Sequence, residues 1–183
     1  GKRMPANLLR RPDVELPLYG DDLLNGKSLI NVMQSVDVEM KSIEQRVAGH
    51  LKDNTSFALL QTMTGIGPIL AMSIVMETGD ISRFERVGQY ASYSRCVKSE
   101  KTSNNKKKGE GNRKAGNKYL SWAWSEAAHF ALRFSKPAHR FYERKKRKTN
   151  GIVAVRAVAH KLARAGFYVM KQQVPYDEQR LFT

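Results

Sequence analysis

The stretch that decides the fold is "SFALLQTMTGIGPILAMSIVMETGDI", residues 56–81. Ser56 is placed to cap a short helix that runs through Gln61, and Gly65-Ile66-Gly67 supplies a tight turn. Pro68 follows where a first-turn proline is tolerated, and Gly79 ends the second helix. The pattern therefore predicts a helix-hairpin-helix.

Two interpretations of the glycine turn remain open. In the functional one, Gly65 and Gly67 let backbone amides approach a DNA phosphate, and the N-terminus of the second helix adds partial positive charge. In the structural one, the turn only joins two packed helices, because the same pattern also occurs in plain helical hairpins.

A heptad pattern precedes this motif. Its apolar positions are spaced alternately by four and three residues and end in a histidine: Leu29, Met33, Val36, Met40, Ile43, Val47 and His50. Such a seam must be buried against a copy of itself or against another helix of the chain. The first alternative predicts an arm that pairs protomers into a homo-oligomer.

The remaining apolar patterns predict helices over "RFERVGQYASYSR", "NKYLSWAWSEAAHFALRF", "AHRFYERKKRK" and "IVAVRAVAHKLARAGFYVMKQQ". No alternation typical of strands persists, so we expect an all-α fold with a coiled-coil arm before a helical domain. The expected divisions are an irregular start (1–27), the arm (28–54), the domain (55–177, with a basic loop at 98–118) and a tail (178–183). Because the chain does not begin with Met, we expect a piece of a longer protein.

The net charge of +15 is concentrated in one part of the chain. Residues 1–94 carry 10 Lys or Arg against 11 Asp or Glu, whereas residues 95–150 carry 17 against 4. The positive electrostatic potential of such a segment attracts polyanions, and the aromatic content of the chain favours nucleic acid over a membrane surface as the partner. A solvated charged face is the alternative. No apolar run is long enough for a membrane span and no leader pattern opens the chain, so we expect a cytoplasmic protein.

Residues 98–118 carry eight of these cations together with three glycines and four asparagines. The composition alone fits a flexible linker, but the flanking segments "YASYSRCV" and "YLSWAWSEAA" are predicted core helices, which favours a phosphate-binding loop held at both ends. Among its hydroxyls, only Ser103 is followed directly by two Asn and three Lys. A serine of ordinary pKa is a poor nucleophile, so Ser103 needs an activating group from elsewhere.

The sequence predicts no metal site. The four histidines lack paired ligand spacing, and the single cysteine, Cys96, is expected to be a buried, inert thiol. His160 is expected on the buried side of the last long helix.

Three segments in order carry a resemblance: "TGIGPILAMSIVMETGDISRF", "YASYSRCVKSEKTSNNKKKGEGNRKAGNKYL" and "FYERKKRKTNGIVAVRAVAHKLARA". Together, over about residues 56–177, they resemble the C-terminal transposase domain of the insertion-sequence "one-ten" family, the bridge-RNA-guided recombinases similar to Piv-type DNA invertases. The family's Ser-Gly step matches Ser103-Asn104, a departure that replaces Gly with a residue tolerant of positive φ, and its Lys-x-Gly-Asn element matches residues 114–117.

The resemblance implies a two-part active site. A RuvC-like domain with four acids, which no segment here resembles, would hold Mg²⁺, and Ser103 would be the nucleophile that links to the cleaved DNA strand. This piece alone is then expected to be inactive. DNA and a guide RNA are the implied partners. The expected nucleic-acid-binding set comprises the phosphate-neutralising Lys106, Lys107, Lys108, Arg113 and Lys114, the loop-ordering Asn117, and Gly65 and Gly67 at duplex backbone.

Two other functions compete with this one. The first is a non-catalytic helix-hairpin-helix module that binds nucleic acid and dimerises through the arm. The second is a structural RNA-binding protein of ribosomal type, which fits the charge but not a heptad arm joined to a glycine hairpin.

Overall fold

The computed structural model describes residues 20–97, 100–103, 106–110 and 115–182. The chain divides into two units, Gly1–Gly49 and His50–Thr183. The expected boundaries at residues 27 and 28 and at 54 and 55 stay predictions.

Helix α1 spans Asp21–His50 and forms the described part of the first unit. The carboxylates of Asp21 and Asp22 in its first turn complement the helix dipole. The heptad positions from Leu29 to Ile43 are exposed, so the described part of the chain leaves these positions of the seam uncovered. A helix lies in the predicted arm, although it begins at Asp21, inside the segment that was expected to be irregular, and ends at His50. Its pairing as a coiled coil stays a prediction.

The glycine hairpin joins α2, Thr55–Leu60, to α3, Pro68–Thr78. Asn54 caps α2, since its Oδ1 accepts a hydrogen bond of 3.0 Å from the Phe57 N–H. The prediction that Ser56 is the cap was wrong, because the chain becomes helical one residue earlier and the Ser56 hydroxyl instead accepts from Gln173 Nε2 at 2.8 Å. Pro68 in the first turn of α3 and Gly79 at its end, with φ +61°, are as predicted.

A 3₁₀ turn at Ile81–Arg83 leads into α4, Val87–Tyr93. Two antiparallel strands follow, β1 at Glu100–Ser103 and β2 at Lys106–Glu110. This hairpin corrects the expectation of a loop with no strands. Alternation reveals only strands with one buried face, and this lysine-rich pair carries no apolar residue.

The second half of the chain supplies α5 at Lys118–Phe134, α6 at Lys136–Lys148, α7 at Gly151–Gln172 and α8 at Glu178–Phe182. Ser135 and Asn150 cap α6 and α7 through their side-chain oxygens. The predicted tail therefore contains a short helix, and Phe182 in it is buried. The all-α class is confirmed, with the β1–β2 hairpin as its one described exception.

Helix α7 runs through the core of the second unit and contacts α5, α6 and α4. Gly166 lets it approach Trp124 of α5, since a Cβ there would lie 2.2 Å from the indole ring. Trp124 Nε1 lies 3.3 Å from the hydroxyl of the buried Tyr90, which also lies 3.1 Å from Thr78 Oγ1. Burial raises the pKa of Tyr90 to about 12. This core fixes the helices that carry the hairpin.

None of the helices in the described part of the chain is both long enough and apolar enough to cross a membrane.

Candidate nucleic-acid interface

The root of the β1–β2 hairpin is fastened to the end of α4. The Asn117 N–H donates to the Tyr93 carbonyl at 2.6 Å, and the Arg95 guanidinium donates two bonds, of 3.0 and 2.8 Å, to the Gly116 carbonyl. Gly116 has φ +92°, and a Cβ on it would lie 2.5 Å from the Tyr93 carbonyl oxygen. Only glycine fits at position 116 without displacing the backbone of α4. The chain thus leaves and rejoins the helical body at one place.

Both polar atoms of the Asn117 side chain make hydrogen bonds that hold this root. Its Oδ1 caps α5 by accepting from the Tyr119 and Leu120 N–H groups at 2.8 and 3.0 Å. Its Nδ2 donates to Glu77 Oε2 at 2.6 Å and lies 3.5 Å from the Tyr93 hydroxyl. The hydrogen bond from Asn117, with one from Arg83, holds the pKa of Tyr93 below its ordinary value. In this structure Asn117 is a positioning residue that ties α3, α4 and α5 together beneath the hairpin.

The hairpin places the predicted nucleophile at its outer end. Ser103 is the last residue of β1 and pairs with Lys106, the first residue of β2, while Thr102 pairs with Lys107. The register then shifts, since Lys101 pairs with Gly109, which leaves Lys108 as the extra residue of a bulge. The structure therefore brings Ser103 and the three consecutive lysines to one end of one hairpin. Arg113 and Lys114 lie outside the described residues, as do Ser99, Asn104 and Asn105.

The two glycines of the α2–α3 turn have different surroundings. Gly65, with φ +96°, packs on α5 so closely that a Cβ would lie 2.6 Å from the Ala127 carbonyl oxygen and from the Ala131 nitrogen. Gly67 is exposed, has open space around its Cα and precedes the first turn of α3. Gly65 has a packing role, and Gly67 with the first amides of α3 is the open part of the turn.

The surface beside this turn is apolar. A cavity of about 410 Å³ is lined by the turn and by Ile69, Phe130 and Phe134, all three of which are exposed. This setting favours the structural interpretation of Gly65, and Gly67 stays a predicted phosphate contact.

Sequence reasoning left one basic surface out of the predicted site. Helix α6 has basic residues throughout its exposed surface, namely Lys136, Arg140, Arg144, Lys145, Lys146, Arg147 and Lys148. Lys146 lies 3.7 Å from Glu143, the one acid of the helix. The signal was present in the sequence as a run of cations on a predicted helix, which is a typical electrostatic footprint for nucleic acid.

The cysteine and the possible metal ligands among the described residues form no reactive site. Burial raises the pKa of the Cys96 thiol to about 12, so it is protonated at neutral pH and unreactive. No group of three or more His, Cys, Asp or Glu side chains comes together as a metal site in the ranges that the structure describes.

Comparison with known families gives one match. Residues 57–143 match the family model described as Transposase IS116/IS110/IS902 family. The matched segment begins in α2, includes the hairpin and ends within α6. Over this segment, which is slightly less than half of the chain, the protein is similar to transposases of that family. Comparison with curated proteins found no match.

Proposed function

We propose that this chain is the serine-bearing part of a DNA transposase, in which Ser103 attacks the DNA strand and becomes covalently linked to it. The observation that carries the proposal is the position of Ser103 at the end of the β1–β2 hairpin, opposite Lys106 and inside the segment that matches the transposase family. The rigid root of the hairpin supports it further, since a nucleophile must be held in place to react.

The proposed step is a transesterification. The Ser103 oxygen forms a bond to phosphorus, the bond from phosphorus to a deoxyribose oxygen breaks, and the serine proton passes to the leaving oxygen through solvent. One phosphodiester replaces another, so the strand can be rejoined by the reverse step. Lys106, Lys107 and Lys108 stabilise the extra negative charge that develops on the phosphate in the transition state.

The remaining partners in the proposal have unequal support. DNA is supported by the family match and by the excess of cations in residues 95–150. The guide RNA and the RuvC-like domain rest on the sequence resemblance alone. A homo-oligomer through α1 is supported by the exposed heptad positions, which require a covering surface.

Magnesium does not fit the residues at hand. The described part of the chain has no cluster of carboxylates or histidines that could hold the ion. In the proposal magnesium belongs to the RuvC-like domain, and the chemistry assigned to this chain uses protein side chains only.

The proposal is tested with Ser103→Ala in protein that includes the RuvC-like domain, with guide RNA, labelled donor and target DNA, and Mg²⁺. We expect loss of the covalent protein–DNA product and a fall of about 10⁴-fold or more in strand exchange. Thr102→Ala, which removes the neighbouring hydroxyl in the same strand, is the matched control and should keep the product. If the Ser103→Ala protein still formed the covalent protein–DNA product, Ser103 would not be the nucleophile.

The second candidate is a non-catalytic nucleic-acid-binding module. It is favoured by one observation, since no histidine lies in or beside the hairpin in sequence to act as a base. This candidate predicts that Ser103→Ala keeps full function, whereas both candidates predict binding that weakens steeply with salt.

A further inference from the structure

A second cavity lies in the helical unit, away from the hairpin in sequence. It has a volume of about 640 Å³ and is bounded by α6, α7 and the segment from Val174 to Leu181. This size is within the range of sites that bind small organic molecules. Its lining residues on α7 recur every three or four positions, from Ala157 through Arg164 and Tyr168 to Gln172, so they form one stripe of the helix.

The lining combines aromatic rings with positive charge. Phe141, Tyr168 and Tyr176 contribute rings, and Lys145, Lys161 and Arg164 contribute cations, with Asp177 as the acid of the lining. Burial, and the carboxylates of Glu178 and Asp177, raise the pKa of Tyr176, so its hydroxyl keeps its proton and the cations remain in excess over the two acids. Arg144 and Arg164 lie close enough to Lys161 to lower its pKa, in addition to the larger effect of burial. The cavity is therefore an electropositive site with an aromatic wall.

The C-terminal wall of the cavity is held in place by the same residues. Lys161 Nζ donates to the Leu181 carbonyl at 2.5 Å, and the Phe182 ring packs 5.9 Å from the Phe141 ring. Lys161 is thus committed to the wall, which leaves Lys145 and Arg164, both exposed, as the cations available to a ligand.

One polar group in the lining lacks a partner. The Tyr176 hydroxyl oxygen is buried and has no hydrogen-bond partner among the residues that the structure describes. A buried hydroxyl without a partner costs free energy, which a ligand that accepts or donates a hydrogen bond there would recover. This observation points to a polar edge on the ligand in addition to an anionic group.

We propose that this cavity binds one unpaired nucleotide of a single-stranded nucleic acid. The aromatic wall takes the base, the Tyr176 hydroxyl meets a polar edge of that base, and Arg164 with Lys145 takes the phosphate. Stacking on aromatic side chains combined with a cationic groove is how proteins hold single strands without reading a long sequence. A paired base cannot enter, because its faces are covered by neighbouring bases and its polar edge is engaged.

The proposal goes beyond the function assigned to Ser103 and does not depend on it. Binding here needs no covalent step, so Ser103→Ala protein should bind single strands at this cavity as the unaltered protein does.

The test uses the full 183-residue chain and a 12-nucleotide single strand with 2-aminopurine at one position, compared with a hairpin duplex of equal charge. Two variants alter the cavity, Arg164→Gln and Tyr168→Leu; both side chains are exposed, so the fold should survive. The matched controls are Arg156→Gln, an exposed cation on another face of α7, and Tyr119→Leu, an exposed ring on α5. Thermal melting followed by circular dichroism checks folding.

We expect each cavity variant to weaken single-strand binding about tenfold relative to its control, which corresponds to one stacking or phosphate contact. Arg164→Gln should also reduce the slope of log K against log salt by about 0.7. The fluorescence of 2-aminopurine should be quenched by the unaltered protein and not by Tyr168→Leu. DNA and RNA strands tested in parallel identify which of the two is bound more tightly.

Three results would overturn the proposal. The first is single-strand binding by the cavity variants equal to that of their controls. The second is an equal loss for the duplex, which would reduce the site to a plain phosphate contact. The third is competition by polyglutamate as strong as that by an unlabelled strand, which would identify an acidic polypeptide as the ligand.

Discussion

Replacing Gly65 with alanine should destabilise the helical unit strongly. Gly65 has φ +96°, a conformation that an alanine rarely adopts. Its added Cβ would lie 2.6 Å from the Ala127 carbonyl oxygen and from the Ala131 nitrogen, both of which are backbone atoms of α5. Neither atom can move aside as a flexible side chain could, so α3 and α5 must separate.

The magnitude follows from two contributions. The left-handed conformation costs a non-glycine residue about 1–2 kcal/mol. Forcing extra volume into a packed contact costs about 1–3 kcal/mol more. The free energy of unfolding should therefore fall by about 2–5 kcal/mol, a large part of the ~5–15 kcal/mol that domains possess. For a chain of this size the melting temperature should fall by at least about 4 °C.

Urea denaturation followed by circular dichroism measures this loss, with Gly67→Ser as the matched control. Gly67 has φ −91° and open space around it, and serine is a favourable cap for α3, so the control should be as stable as the unaltered protein. If Gly65→Ala unfolded at the same urea concentration as Gly67→Ser, the described packing of the turn on α5 would be refuted. The control also tests the predicted phosphate contact, since a side chain at position 67 would weaken duplex binding there.

Two further predictions concern the hairpin root and the cavity. Asn117→Ala should lower the free energy of unfolding by about 1–3 kcal/mol in urea denaturation, because it removes both the cap of α5 and the hydrogen bond to Glu77. The control Asn54→Ala removes only the cap of α2 and should lower it by about 1 kcal/mol. Equal losses in the two variants would mean that the hydrogen bond to Glu77 contributes nothing. Burial and the nearby Arg164 lower the pKa of His160, so the unfolded state binds more protons, and stability should fall as the pH decreases below about 6.5. Melting temperatures measured between pH 5 and 8 test this. The loss of stability at low pH should disappear in His160→Gln and remain in the control His139→Gln, whose ring is exposed. If His160→Gln showed the same pH dependence as the unaltered protein, His160 would not be its cause.

The parts of the fold predicted correctly depend on local signals. Pro68, Gly79 and Asn150-Gly151 mark helix ends through conformational preferences of single residues, which the sequence displays directly. The cap of α2 was misplaced by two positions because Asn54 and Ser56 are both competent caps and only the start of the helix distinguishes them. The hairpin was missed because it lacks the apolar alternation that makes a strand visible in a sequence.

The candidate site was predictable in composition and not in arrangement. The cluster of cations could be found from residue types alone, whereas the role of Ser103 came from the family resemblance and stays a prediction. The bond from Asn117 to Glu77 joins residues 40 apart, and the α6–α7 cavity needs three elements to come together, so neither has a local signal. Similarly, the role of Gly65 depends on α5, which lies more than 50 residues away in sequence.

The fastening of the hairpin at Tyr93, Arg95, Gly116 and Asn117 separates two kinds of sequence constraint. Because the chain leaves and returns at one point, the segment between these anchors is a closed excursion, and doubling the length of such a segment adds only about 0.6 kcal/mol of closure entropy. The number of residues between the anchors can therefore vary at little cost in stability, while the anchors must be kept for the helices to pack. Insertions between the anchors should therefore leave the helical unit folded.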